Sequence, residues 1–233
     1  MLILILAESA LETVPEDLWD HPAVKKYSRR RKKHPKLTIL DRSYHHVAMK
    51  TLKESEKRGR PDIAHFSLLE ALGSPLNREG LLEVYVHTIN EYVISVNPET
   101  RLPRNYDRFI GLMEQLFEMG TVPKTGRPLL RLERKTMPDL ISEINPTRVV
   151  AFSRLGSPMT LRDITAKFSA EKRLATIVGG FPRGSFSEAT AKLADDIFSI
   201  DFEMLEAWTV ASRVIYEYER AVSVDEKRLT RHS

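Results

Sequence analysis

Apolar residues recur along this chain in two rhythms, and the rhythms alternate. Residues 2–7 form an unbroken apolar run, far short of the roughly 18 needed to span a membrane and suited to a first, fully buried parallel strand. A basic stretch, residues 25–36, separates it from a short strand at 37–40 and a helical pattern over about 44–57. A second helix is predicted from Pro61, with Ile63, Phe66, Leu68, Leu69 and Leu72 at helical spacing and Gly73 as its stop. Residues 82–88 and 92–96 are β-rich and separated by Ile89-Asn90-Glu91, which predicts an antiparallel hairpin.

Asn97-Pro98 breaks that run, and Asn105 is placed to cap a helix carrying Phe109, Leu112, Met113, Leu116 and Phe117, closed by Gly120 and Pro123. The last third reads strand (148–152), helix (161–169), strand (174–178), short helix, strand (197–200) and long C-terminal helix. That is the βαβ rhythm of a parallel sheet, so the fold class is α/β. The expectation is a single domain, 1–233, with an insertion around residues 82–104 that carries the hairpin.

Composition narrows the chemistry. At 233 residues with 42% hydrophobic content the chain can build a substantial core, and the absence of cysteine excludes disulfides, thiolate catalysis and Cys-type zinc sites. His45, His46 and His87 lack metal-ligand spacing, and no metal is expected. Acidic residues follow the first apolar run at once, without a basic leader or cleavage pattern, which predicts a soluble, cytoplasmic protein. A net charge of +4 matters only where the basic residues gather.

They gather twice, at Arg29 to Lys33 and at Arg101, Arg104 and Arg108, the latter set around Tyr106. Arginine forks suit phosphate oxygens and stack on bases. About three to five phosphate contacts on a single strand would give a log K against log salt slope of about −2 to −4. A solvated face is the simpler fate of one such run; two runs favour RNA. Arg60-Pro61-Asp62, followed by His65, puts a cation, an anion and an imidazole in the opening turn of a helix. The plain alternative is a neutralised helix start above a core histidine. The run 174–178 leads into Gly179, Gly180 and Gly184, where ligands of open α/β sheets bind beyond the carboxyl ends of strands. It has neither the G-x-G-x-x-G order nor a P-loop, and a tight turn with no ligand fits the same residues.

The segments RPDIAHFSLLEALGSPLNREGLLEVYVHT, NPETRLPRNYDRFIGLMEQLF, VGGFPRGSF and SIDFEMLEAWTV occur in this order. Through them, and over nearly its whole length, the chain resembles the ribosome-biogenesis pseudouridine methyltransferases of the Nep/Emg family. The resemblance implies a SPOUT-superfamily α/β fold with a C-terminal trefoil knot, a homodimer, and S-adenosyl-L-methionine as methyl donor. It implies methylation of N1 of a pseudouridine in small-subunit ribosomal RNA. Carried over by motif, Arg60 and Asp62 belong beside the target base, and Arg101, Arg104 and Arg108 on the RNA-binding surface. Val178, Gly179, Gly180, Ser199, Ile200, Leu205 and Ala207 belong to the cofactor. The long C-terminal helix, with Leu205, Trp208, Val210 and Tyr216, is the expected dimer face.

Pseudouridine N1 carries a hydrogen and is a poor nucleophile until that proton leaves or is shared. Asp62 is the candidate to accept or orient it, and positioning is favoured because a carboxylate is a far weaker base than the deprotonated ring nitrogen. Arg60 is the candidate to stabilise negative charge on the base carbonyls. Two other classes stay open: a non-catalytic rRNA-binding assembly factor, and a related enzyme acting on transfer RNA.

Overall fold

The computed structural model describes residues 1–231. In chain order its elements are β1 (Leu2–Ser9), α1 (Pro22–Arg31), α2 (Arg42–His45), α3 (Pro61–Gly73), α4 (Pro75–Arg78), β2 (Leu82–Thr88), β3 (Tyr92–Val96) and α5 (Tyr106–Met119). Then follow β4 (Thr121–Val122), β5 (Leu130–Arg134), α6 (Met137–Ile144), β6 (Arg148–Pro158), α7 (Leu161–Phe168) and β7 (Leu174–Gly179). The chain ends with α8 (Glu188–Ala191), β8 (Asp196–Ser199), α9 (Ala207–Ala221) and α10 (Val224–Thr230). The strands form one sheet in the order β4-β5-β3-β2-β1-β7-β6-β8.

The α/β class follows from β1. It pairs in parallel with β2 on one side and β7 on the other, and both of its faces are covered. Because side chains alternate along a strand, Leu2, Leu4 and Leu6 meet helices α3, α5, α7 and α9 in one core. Ile3, Ile5 and Ala7 meet α6 in a second core on the opposite face. Burial on both sides is why the run is continuously apolar.

The hairpin forms as expected, with Val84 opposite Val96 and His87 opposite Val93. Its setting differs from the expectation. β2 is a parallel neighbour of β1, so residues 82–88 belong to the central sheet, and β3, β5 and β4 extend it as an antiparallel edge. The expected strand at 37–40 is a 3-10 turn, Pro35–Leu37, followed by a single bridge between Ile39 and Thr13. The expected helix over 44–57 breaks into α2 and two 3-10 turns, Ala48–Thr51 and Ser55–Lys57. Leu52 turns extended and Glu54 sits at φ 51°, after which Lys53 to Lys57 offers no apolar stripe to hold a helix against the core.

β6 runs to Pro158, six residues past the expected end, and its register with β8 shifts between Phe152 and Ser157. The chain leaves β8 and returns as α9 across β1 and β7, against α3 and α7. Within that helix Val210 is committed to the core and Tyr216 is exposed, so the expected dimer face is split between the two roles.

Candidate active site

The middle of β6 and the carboxyl ends of β7 and β8 open onto a cleft of about 430 Å³. Val178, Gly179, Ser199, Ile200, Leu205 and Ala207 all line it. Gly180 does not. It turns behind the wall, its N–H donating to the Ala7 carbonyl at 2.8 Å and its carbonyl accepting from Ala10 at 2.9 Å. A Cβ there would lie 2.1 Å from Ser9 Oγ, so close backbone approach to β1 requires this glycine. Sequence reasoning missed the middle of β6 (Phe152, Ser153, Arg154, Leu155) and the loop residues Phe181 and Arg183, which also line the cleft.

The loop 181–187 is anchored from beneath. Glu8, at φ 50° near the end of β1, accepts the Ser187 N–H at 2.8 Å and pairs with Lys57 at 3.0 Å. Lys57 Nζ lies 4.9 Å from the centroid of the Phe181 ring. Burial pushes the Glu8 carboxyl up, but hydrogen bonds from Ser187 and Lys57 outweigh it and hold it below the usual carboxylate range.

The other wall is acidic. Ser199 Oγ donates to the Asp201 carbonyl, Asp201 Oδ1 accepts the Glu203 N–H, and Glu206 stands at the N-cap of α9. Apolar Val178, Leu205 and Val210 face the same space. A cleft of this size, apolar in its walls and anionic at its rim, suits a nucleoside that carries positive charge.

Arg60 and Asp62 meet at the first turn of α3, where Pro61 occupies the first helical position. The pair is a two-point fork, with Arg60 Nε to Asp62 Oδ1 and Arg60 Nη2 to Asp62 Oδ2 both at 2.8 Å. Hydrogen bonding to Asp62, aided by the charges of Asp62 and Glu206, raises the Arg60 guanidinium above its ordinary value against the opposing effect of burial. Glu206 lines the cleft and its charge reaches Arg60, although neither Arg60 nor Asp62 is itself part of the lining. Both side chains stay partly exposed, at 35% and 25%.

His65 takes the plain role. Its Nε2 donates to the Pro103 carbonyl at 2.7 Å, its ring stacks on Phe109 at 4.2 Å, and burial lowers its pKa from 6.5. That bond ties α3 to the segment holding Arg101 and Arg104. Arg101, Arg104 and Arg108 are exposed and form no ion pair among the described residues. Asn105 caps α5 by accepting the Arg108 N–H at 3.1 Å. The run at 29–33 is less free, since Arg31 and Lys33 both reach Glu114, whose side chain is fully buried. His45 is likewise internal, its Nδ1 accepting the Asp41 N–H. Among the described residues no group of three or more potential ligands is arranged to hold a metal. No helix there is long and apolar enough to cross a membrane.

Residues 4–219 match the family model described as EMG1/NEP1 methyltransferase. The chain is 48% identical over 224 residues to the ribosomal RNA small subunit methyltransferase Nep1 of Thermococcus kodakarensis, covering 96% of this chain and 100% of that protein. It is 50% identical over 218 residues to the same-named protein of Pyrococcus furiosus, covering 94% and 96%. Among solved structures, Archaeoglobus fulgidus Nep1 bound to S-adenosylhomocysteine superposes with a TM-score of 0.84 at 39% identity, covering 95% of this chain and 98% of that one.

Proposed function

Because this chain belongs to the EMG1/NEP1 methyltransferase family, we propose that it transfers a methyl group from S-adenosylmethionine to N1 of a pseudouridine in small-subunit ribosomal RNA, in the course of subunit biogenesis. The observation that carries this reading is the cleft built at the strand ends, with Glu206 in its lining and the Arg60–Asp62 fork within reach of the Glu206 charge. S-adenosylhomocysteine is the ligand of the Archaeoglobus fulgidus relative, and the cleft here fits that class of molecule. Its size, its apolar Leu205 and Val178, and its acidic Asp201, Glu203 and Glu206 all suit a cationic nucleoside.

When bound, S-adenosylmethionine supplies an electrophilic methyl group. The protein's own share is alignment and proton handling. Asp62 accepts the hydrogen bond of the target N1–H and orients it, and as N1 takes the methyl group the proton is passed by way of Asp62 to solvent. Arg60 spends Nε and Nη2 on Asp62, and this two-point fork fixes the direction in which the carboxylate faces the base. Its Nη1 remains available to a base carbonyl, where negative charge builds as the proton departs. Arg101, Arg104 and Arg108 hold phosphates of the same strand, and the target base must lie outside any stack to reach the rim.

The trefoil knot and the homodimer belong to the same proposal. Leu155, Phe202 and Met204, exposed at 74%, 89% and 63% around the cleft, form the kind of apolar patch that a second copy would cover. The functional reading is tested by methyl transfer from labelled donor to a small-subunit rRNA hairpin carrying either pseudouridine or uridine at one position. Transfer restricted to the pseudouridine hairpin is expected; equal transfer to both would remove the base assignment, and no transfer would remove the enzyme.

A further inference from the structure

The basic run at residues 29–33 divides into inward and outward charges. Arg31 and Lys33 are neutralised at Glu114, with distances of 2.9 and 2.7 Å. Arg30 does something else. Tyr27 and Tyr44 stack with centroids 4.6 Å apart at 28°, and the Arg30 guanidinium carbon sits 4.9 Å from the Tyr44 ring and 5.2 Å from the Tyr27 ring. Tyr27 is buried, whereas Tyr44 and Arg30 are exposed, and Arg30 has no carboxylate partner among the described residues. A guanidinium held within about 5 Å of two ring centroids and still exposed has planar surface left to offer a second planar group.

The surroundings say which group. Asp41 caps α2, the helix of Tyr44, and accepts the Tyr106 hydroxyl at 2.6 Å. Tyr106 lies between Arg104 and Arg108, so this bond joins the aromatic stack to the phosphate-facing arginines. The Tyr106 ring also lies 6.2 Å from the ring of His65, which shares α3 with Asp62, so the stack is tied to the helix that opens with the fork. An RNA strand held by the arginines and presenting one unstacked base at the rim has neighbouring bases without partners. Proteins commonly receive such bases on aromatic rings and arginine planes.

We propose that Arg30, propped on Tyr44 and Tyr27, is a stacking platform for an unpaired base flanking the target nucleotide. This rests on the RNA methyltransferase reading given above. The platform is distinct in kind from the phosphate contacts, because it depends on the guanidinium plane and not on charge alone.

The test is fluorescence anisotropy of the pseudouridine hairpin with wild-type protein, Arg30→Lys, Arg30→Ala and Arg29→Ala at several salt concentrations, repeated with abasic substitutions at each loop position. Arg30→Lys keeps the charge and loses the plane; it is expected to weaken binding about tenfold with the salt slope unchanged. One abasic position should cost the wild type a similar factor and cost Arg30→Ala nothing further. Arg29→Ala should alter the salt dependence without this coupling. Wild-type affinity in Arg30→Lys, or no abasic position coupled to Arg30, overturns the platform while methylation of the hairpin stands. Wild-type protein that neither binds nor methylates the hairpin overturns the functional reading and the platform with it.

Discussion

Lys57 Nζ lies 3.0 Å from Glu8 Oε2, with both side chains less than a tenth exposed, directly beneath the loop that walls the cleft. Glu8 comes from the first strand and Lys57 from the irregular segment before α3. Between them they fix residues 181–187 through the Ser187 N–H and the Phe181 ring. Replacing Lys57 by Met strands the Glu8 carboxylate and is expected to cost roughly 3 kcal/mol of stability. Glu8→Gln keeps an acceptor for Ser187 and should be milder. Cofactor affinity by titration calorimetry is expected to fall in Lys57→Met and largely recover in Glu8→Gln, with RNA affinity unmoved in both. Equal loss of RNA affinity would make the pair merely structural.

Asp62→Asn removes the charge that orients the N1–H and keeps the size of the side chain. Methyl transfer is expected to fall by about 10² to 10⁴, the span usual for a proton-handling group, while RNA and cofactor affinities hold. Full turnover in single-turnover kinetics would end the assignment of Asp62.

Arg101, Arg104 and Arg108 are exposed and form no ion pair among the described residues, so replacing any one with Ala is expected to leave the melting temperature unchanged. Each substitution should reduce the log K against log salt slope by about 0.7, the value for one phosphate on a single strand. A variant with weaker binding but the wild-type slope would show that its arginine does not touch phosphate.

Burial lowers both His45 and His65 from the ordinary 6.5. The unfolded chain therefore takes up these protons first, and stability is full above pH 6.5 and declines as pH falls toward the lower folded values. His65→Gln should flatten the pH dependence of the melting temperature between pH 7.5 and 5 relative to the wild type. A variant as steep as the wild type would show that His65 contributes nothing to it.

The features that were legible in the sequence are those where local pattern and tertiary role agree. β1 reads correctly because burial on both faces leaves no polar residue from Leu2 to Ala7. The hairpin reads correctly because Ile89-Asn90-Glu91 interrupts two β-branched runs, and α5 because Asn105 and Gly120 mark its ends. α6 and β5 escaped because each is short, and β5 alternates Leu with charged residues at a sheet edge. α1 escaped because it buries only Val24, Tyr27 and Ser28 and otherwise looks like a solvated charge run.

The site was legible to a similar depth. Six of the seven residues assigned to the cofactor line one cleft, a convergence of β7, β8 and α9 that no local pattern contains. Gly180 was grouped with them because glycine after a strand signals close approach without saying to what; here the neighbour is Ser9. The Glu8–Lys57 anchor was invisible, since its members are 49 residues apart and neither belongs to a motif.

The most direct test of the account is the identity of the modified nucleoside. The pseudouridine hairpin, methylated by the purified protein and digested to nucleosides, is analysed by mass spectrometry against synthetic standards. The expected product is 1-methylpseudouridine, absent with Asp62→Asn. A methyl group at any other atom of the base, or on a ribose, would contradict it.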